Sequence, residues 1–217
     1  MGRGSSASGG RASGGGGVDP SNIKGQEDMI SARNEENREG IDRTLDVARN
    51  MTKEFGDNVA LEGNFQLASF AGKDATTLGC YDAGGNIIMN KNVINSKSLN
   101  EVYDSNVKSG YHPSRGNKSA VEAVAAHEYG HSLTENARKG MGGNLTYDQA
   151  ATRIVTEARK QTGSKGNIKF GRKISEYATT SNAETVAEAV SDWYCNGSKA
   201  KRESKAVVKV LKGYIKK

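Results

Sequence analysis

The sequence predicts an α+β domain that is mainly helical, with a small antiparallel sheet ahead of its central helix. Three observations support this prediction. Apolar residues recur at helical spacing in several segments, short β-like runs occupy residues 65–90, and 12 of the first 17 residues are Gly or Ser. The 217-residue chain is long enough to bury a sizeable core, so one domain behind an N-terminal leader is expected.

The leader and the first helix are distinguished by composition. A Gly/Ser-rich segment cannot bury enough apolar surface to offset the entropy that it loses on ordering. We therefore expect residues 1–35 to be disordered and residues 36–217 to form the domain. The first helix is expected at residues 36–55, where apolar side chains form one stripe, and Gly56 ends it.

Three short β-like runs follow the first helix, at residues 65–70, 77–81 and 86–90. The pair Gly84-Gly85 separates the last two runs and favours a tight hairpin between them. These runs predict a small antiparallel sheet just before the central helix.

The central helix has its own start and stop signals. Ser119 and Glu122 form a capping-box pattern at its start, an Ala/Val-rich run follows, and Gly140 marks its end. Further helices are expected at residues 99–107, 147–161 and 183–194, and a basic helix is expected within residues 196–217.

The central helix carries the pattern HExxH, in which His127 and His131 flank Glu128. Positions i and i+4 share one face of a helix, so both imidazoles can bind one metal ion, with Glu128 beside the water on that ion. Zinc bound in this way lowers the pKa of its water to about 7, and the glutamate can take the proton. The motif therefore predicts a zinc site with a general base, and it requires one more protein ligand.

The third ligand must come from elsewhere in the chain. A metzincin would continue as H-x-x-G-x-x-H, but residues 132–137 read SLTENA, which excludes that class. The helix expected at residues 183–194 offers two carboxylates one turn apart on one face, Glu184 and Glu188.

Together with HExxH, Tyr177 and the E-x-x-A-E-A segment that begins at Glu184 resemble the anthrax lethal factor-like metallopeptidases, whose relatives occur in phage and mobile-element proteins. The resemblance spans residues 120–197 and implies a zincin-like fold of the glutamate-zincin class. It implies that Glu184 is the third zinc ligand and that Glu188 is a carboxylate that binds a ligand histidine. It also implies that Tyr177 supplies a hydroxyl near the scissile carbonyl.

Two alternatives for this segment stay open. The E-x-x-S-D run that begins at Glu188 resembles the thermolysin type, in which Glu188 would be the ligand and Asp192 the carboxylate behind the ligands. In a structural interpretation, Glu184 only completes an S-x-x-E capping box with Ser181. The remaining histidine, His112, has no ligand spacing to another residue and is expected to be a surface or loop histidine and not a substrate-site one.

These residues predict a zinc-dependent endopeptidase acting on a protein or peptide substrate. Peptidases of the resembled architecture usually bind substrate as an added strand at a sheet edge, and residues 86–90 are our candidate for that edge. The alternative is a catalytically idle zincin-fold protein of a phage or mobile element, which binds a partner through its leader and basic tail.

The net charge of +6 is concentrated near the C-terminus. Residues 196–217 contain eight basic residues and one acidic residue, whereas the rest of the chain contains 23 and 24. Such a tail can bind an acidic partner, but it lacks the interleaved aromatic residues that stack on bases, so nucleic acid is not expected. Its apolar residues also fit a packed last helix. No signal peptide or membrane-spanning run is visible, which predicts a cytoplasmic or virion-associated protein.

Overall fold

Seven α-helices and four β-strands make up the part of the chain that the computed structural model describes, residues 18–56 and 64–215. The helices are α1 (Arg38–Phe55), α2 (Leu99–Lys108), α3 (Ala120–Met141), α4 (Tyr147–Thr162), α5 (Asn167–Arg172), α6 (Asn182–Asn196) and α7 (Arg202–Tyr214). The strands are β1 (Ile23–Asp28), β2 (Phe65–Phe70), β3 (Gly79–Tyr81) and β4 (Ile87–Asn90). This content confirms the mainly helical α+β class. None of the described helices is both long and apolar enough to cross a membrane.

The four strands form one mixed sheet in the order β1-β2-β4-β3. β3 and β4 pair antiparallel across the Gly-Gly turn, as predicted. β2 and β4 run parallel, with Phe65 opposite Ile87, so the prediction of a wholly antiparallel sheet is wrong. The hairpin returns β4 to a position between β2 and β3, a long-range pairing that no local turn signal encodes. The prediction that residues 86–90 form an edge strand is also wrong, because β4 is internal and β3 lies at the edge.

Strand β1 lies inside the segment that was predicted to be disordered. It pairs antiparallel with β2, with Ile23 opposite Phe70, so the ordered domain begins before residue 36. The disorder prediction is wrong for residues 18–35 because β1 is an edge strand whose side chains after Ile23 are exposed. Its polar composition therefore gives no indication that the segment belongs to the folded domain. Residues 1–17 of the predicted leader lie outside the described residues.

Helix α3 occupies the centre of the fold. Ser119 Oγ accepts from the backbone N–H of Glu122, and the Glu122 carboxylate accepts from the backbone N–H of Ser119, which confirms the capping box. Many of its side chains are small, which lets α3 pack against α1, α4, α6 and α7 and against β3. Every residue from 120 to 134 is buried, so the HExxH segment lies inside the protein.

The last helix, α7, packs against α3, α4 and α6 and begins at Arg202. Its apolar face is buried, as the packed interpretation of the tail predicted: Val207, Val208, Val210, Leu211 and Ile215. The lysines on its other face are exposed. Much of the basic C-terminal segment is therefore the solvated face of a core helix.

A second basic stretch lies beside the start of α7. Residues 158–175 contain six Lys or Arg and no Asp or Glu. Lys173 Nζ lies 3.0 Å from a carboxylate oxygen of Glu203, and Lys201 Nζ donates to the backbone oxygen of Ile174, so the two stretches adjoin. We use the name basic surface for seven exposed cations of these stretches: Lys165, Lys169, Arg172, Lys173, Lys201, Arg202 and Lys205.

Candidate metal centre

Three donor atoms from α3 and α6 converge at one point inside the protein. His127 and His131 lie one turn apart on α3, and Glu184 lies in the first turn of α6. Glu184 Oε2 is 3.2 Å from His127 Nε2 and 3.7 Å from His131 Nε2. Donors of a tetrahedral zinc site with bonds of about 2.0–2.1 Å lie roughly 3.3 Å apart. The two distances from Glu184 therefore fit the spacing of metal ligands.

These three atoms are buried, and none makes a hydrogen bond within the described residues. Such atoms are rare in proteins, because each costs about 1–3 kcal/mol of desolvation. Burial lowers the pKa of His131 to about 4, so its imidazole is neutral near pH 7 and can offer a lone pair. A cation between the three atoms would satisfy all of them, and the donor set therefore fits a metal ion.

Glu128 lies beside the same point. One donor atom from each of His127, Glu128 and His131 lies within 4.8 Å of the others, but Glu184 is closer to both histidines. Both Glu128 oxygens are buried without a hydrogen-bond partner in the described structure. Burial raises the pKa of the Glu128 carboxyl to about 8. A carboxylate in this environment readily accepts a proton near neutral pH, which is the property of a general base.

Glu188 lies on the other side of the His127 ring. Its Oε1 is 2.9 Å from His127 Nδ1, and its Oε2 accepts from Ser175 Oγ at 2.7 Å. Burial disfavours the ionised form, but the contacts with His112 and His127 outweigh it and lower the pKa of the Glu188 carboxyl. An ionised Glu188 favours the proton on Nδ1 of His127 and leaves Nε2 for a metal.

The contacts of α6 distinguish the alternatives that the sequence left open. In the thermolysin-like register Asp192 lies behind the metal ligands, but its carboxylate accepts from Asn196 Nδ2 at 2.9 Å and from the backbone N–H of Lys201 at 2.8 Å. The cap at the start of α6 uses the backbone of Glu184, whose N–H donates to Ser181 Oγ, and not its carboxylate. The geometry therefore favours the register in which Glu184 faces the histidines and Glu188 lies behind them.

His131 has a partner that the sequence did not reveal. The Tyr147 hydroxyl lies 2.9 Å from His131 Nδ1, and the Tyr81 ring of β3 stacks on the imidazole at 6.0 Å between centroids. Tyr147 follows the capping residue Thr146, and this pattern indicates the start of a helix and nothing more. Its contact with His131 depends on how α4 packs against α3.

Tyr177 lies against His127. Its ring stacks on His127 with the centroids 5.9 Å apart, and the side chain is buried. Burial and the nearby Glu184 carboxylate raise the pKa of the Tyr177 hydroxyl, so it stays protonated at neutral pH. A protonated hydroxyl can donate a hydrogen bond to a substrate oxygen.

His112 is also part of this region: it lies in a loop, which is one of the two predicted alternatives, but it is not on the surface. The side chain is buried, and its Nδ1 lies 3.1 and 3.2 Å from the two oxygens of Glu188. The two residues are 76 positions apart in the chain. Because no local spacing links them, sequence patterns could not reveal the contact.

Helices α3 and α6 approach closely at Gly130 and Ala187. A methyl group added at Gly130 would lie 2.7 Å from Ala187 Cα, which is closer than real side chains allow. Gly130 precedes the candidate ligand His131, and Ala187 lies between Glu184 and Glu188. The missing side chain at position 130 therefore permits the short distance between the ligands on the two helices.

Comparison with known proteins gives no assignment. No protein-family model, no curated protein and no solved structure matches the chain. The interpretation of this site therefore depends on the geometry and chemistry of its own residues.

Proposed function

We propose that the protein is a zinc-dependent endopeptidase with a zincin-like fold, in which water hydrolyses a peptide bond. One observation carries the proposal: three buried donors, which make no hydrogen bond within the described residues, converge beside the Glu128 carboxyl, which makes none there either. The donors are His127 Nε2, His131 Nε2 and Glu184 Oε2. Two imidazoles and one carboxylate form a ligand set of hydrolytic zinc sites.

Zinc bound by these residues would supply Lewis-acid activation of water and of the peptide carbonyl. The protein's own residues supply the remaining chemistry. Glu128 takes a proton from the attacking water and gives it to the leaving amine, so that the C–N bond breaks after the new C–O bond forms. The Tyr177 hydroxyl donates to the developing oxyanion, a contribution on the order of 2–4 kcal/mol for one well-placed donor. Glu188 and Tyr147 orient the two ligand rings through their Nδ1 atoms.

Strand β3 is the segment of the sheet that we expect to bind the substrate. It is one of the two edge strands of the described sheet, and it packs against α3. A methyl group added at Gly79 would lie 3.4 Å from Glu128 Cγ, so the strand passes directly beside the proposed base. An extended peptide added to this edge would therefore run past Glu128. In this proposal β3, and not residues 86–90, is the strand that binds the substrate.

The proposal predicts one zinc ion per chain and peptide cleavage that depends on it. Elemental analysis measures the metal, and mass spectrometry of a proteome-derived peptide library measures cleavage. Chelation should abolish cleavage and lower Tm, and added zinc should restore both. The change in Tm should be large, because free zinc at 1,000 times its Kd would stabilise the folded protein by about 4 kcal/mol. Folded protein that contains no zinc and is indifferent to chelators contradicts the metal centre.

A metal-stabilised interaction protein without catalysis is the second candidate function. Deep burial of the site favours it: Glu128 and His131 are 0% exposed, so a peptide reaches them only if neighbouring side chains move. Zinc-loaded wild-type protein that cleaves no peptide in the library supports this candidate and contradicts the peptidase. Cleavage that zinc restores after chelation excludes it.

We further propose that the basic surface binds an acidic protein. Few carboxylates oppose its cations directly: Lys173 contacts Glu203, and Arg172 contacts Glu176 at 3.3 Å. Among these cations Ile168 is 62% exposed. A protein partner can bury such a side chain, whereas a phosphate backbone offers it no apolar contact. The surface therefore suits an acidic protein better than a nucleic acid.

Charge reversal tests this second proposal. Lys169→Glu with Arg172→Glu should weaken binding of a poly-glutamate peptide by more than about tenfold at low salt, because each reversal replaces an attraction with a repulsion. Lys91→Glu with Lys97→Glu is the matched control, since both lysines are exposed and lie outside the basic surface. Equal loss in the control pair, or tighter binding of duplex DNA than of poly-glutamate to the wild type, contradicts the proposal.

A further inference from the structure

His112 is a buried histidine in the loop between α2 and α3, and it contacts the candidate metal centre from outside. It is 5% exposed, and its Nδ1 lies at nearly equal distances from both oxygens of Glu188, 3.1 and 3.2 Å. Its other nitrogen, Nε2, is buried and makes no hydrogen bond within the described residues. A single nitrogen of this ring therefore makes all of its polar contacts, and they converge on one carboxylate.

The ring of His112 is fixed by aromatic neighbours. It stacks parallel to Tyr103 at 5.4 Å between centroids and meets Tyr111 edge-on at 4.9 Å. It also meets Tyr177 edge-on at 5.4 Å. The same loop is tied to the Tyr177 segment by a backbone hydrogen bond from Tyr177 N–H to the Tyr111 oxygen at 3.1 Å. His112 therefore touches both Glu188, which contacts a ligand histidine, and Tyr177.

The hydrogen bonds around Glu188 have a defined direction. An ionised carboxylate only accepts, so Ser175 Oγ, His127 Nδ1 and His112 Nδ1 must each present a hydrogen to it. A neutral His112 with its proton on Nδ1 leaves Nε2 as an unprotonated acceptor. The opposite tautomer would set a lone pair against the carboxylate and bury an unpaired N–H at Nε2. The contacts therefore select the Nδ1–H tautomer.

We propose that His112 is a positioning residue for the metal centre, which acts by donating from Nδ1 to Glu188 and so keeps that carboxylate against His127. The inference rests on the proposed function in so far as His127 binds zinc through Nε2. Outer partners of ligand histidines commonly change metal affinity by 10- to 100-fold, because they fix the ring orientation and the tautomer. Glu188 is such a partner of His127, and His112 would in turn orient Glu188.

Substitution of His112 by asparagine or by glutamine separates the effect of the hydrogen bond from the effect of packing. The amide nitrogen of asparagine lies where Nδ1 of histidine lies, whereas that of glutamine lies where Nε2 lies. His112→Asn should keep the bond to Glu188 and most of the affinity for Zn²⁺ and Co²⁺. His112→Gln should lose about 10-fold or more in affinity and shift the visible absorption bands of bound Co²⁺. Both variants remove the aromatic ring, so the loss of its stacking is common to them. Competition with a chromophoric chelator measures both affinities.

The outcomes distinguish this inference from the proposed function. Wild-type affinity and an unchanged Co²⁺ spectrum in both variants, or equal losses in both, would mean that the ring only fills space, which overturns the inference and leaves the zinc site intact. A wild-type protein that binds neither ion overturns the zinc site and the inference with it. The wild type alone supplies an independent measurement, because ¹⁵N NMR reports the tautomer of each histidine. A His112 with its proton on Nε2 alone overturns the inference even if the variants do not fold.

Discussion

Glu128→Gln should reduce peptide cleavage by about 10² to 10⁴-fold or more while the protein still binds one zinc ion. The expected loss is the contribution of a positioned general base, since glutamine cannot accept the proton of water. The metal should remain, because the nearest donors to the convergence point are His127, His131 and Glu184. Cleavage assays with the peptides identified for the wild type, together with elemental analysis of the same samples, measure both quantities.

A matched control for this substitution lies on the same helix. Glu135 is partly exposed and paired with Arg138 at 2.6 Å, away from the convergence point. Glu135→Gln removes only an ion pair that is worth about 0–1 kcal/mol and should leave cleavage unchanged. Glu128→Gln replaces a buried carboxyl, whose raised pKa of about 8 keeps it mostly protonated at neutral pH, with a neutral amide of similar shape, and should leave the metal-free protein about as stable as the wild type. Loss of zinc or of folding in Glu128→Gln would contradict the assignment of Glu128 as a base.

Glu184→Gln and Glu188→Gln should affect metal binding to very different degrees. Glu184 Oε2 lies near both ligand imidazoles, so its substitution removes a ligand and should weaken zinc binding by more than about 100-fold. Glu188 contacts His127 only at Nδ1, so its substitution should weaken binding by about 10- to 100-fold and leave one ion bound at high zinc concentration. Titration against a chelator of known affinity measures both variants.

These two substitutions control for each other. Glu184 and Glu188 lie one turn apart on α6, each is 1% exposed, and glutamine has nearly the same shape as glutamate. A general loss of packing would therefore affect both variants alike. The reverse order, in which Glu188→Gln abolishes zinc binding and Glu184→Gln keeps it, would support the thermolysin-like register and contradict the geometry described above.

The parts of the structure that the sequence predicts are those with local signals. The capping box of Ser119 and Glu122 marks the start of α3 because both hydrogen bonds form within three residues. The Gly84-Gly85 turn likewise marks the β3–β4 hairpin, whose strands are close in sequence. The spacing of His127 and His131 places two candidate ligands on one helix face without reference to the rest of the fold. Helical periodicity likewise predicts that Glu184 and Glu188 lie on one face of α6.

The parts that the sequence does not predict depend on contacts between distant segments. The polar strand β1 gains its order from pairing with β2, and its composition resembles that of a flexible segment. The parallel pairing of β2 with β4 requires the hairpin to fold back across the sheet. His112 and Tyr147 reach the centre through the packing of a loop and of α4, respectively, and neither has a characteristic spacing to the residue that it contacts. The choice between Glu184 and Glu188 also needed the rotation of α6 about its axis, which periodicity leaves undetermined.

The close approach of α3 and α6 has a consequence for recognising such sites in other sequences. Because a side chain at Gly130 would collide with the backbone of α6 at Ala187, a site of this geometry constrains a position that binds nothing. The pattern to search for is then HExGH followed by a downstream helix with E-x-x-x-E, in which the glycine is as diagnostic as the ligands. A chain that carries HExxH with a large residue at the fourth position would have to bring its third ligand from a helix at a greater distance.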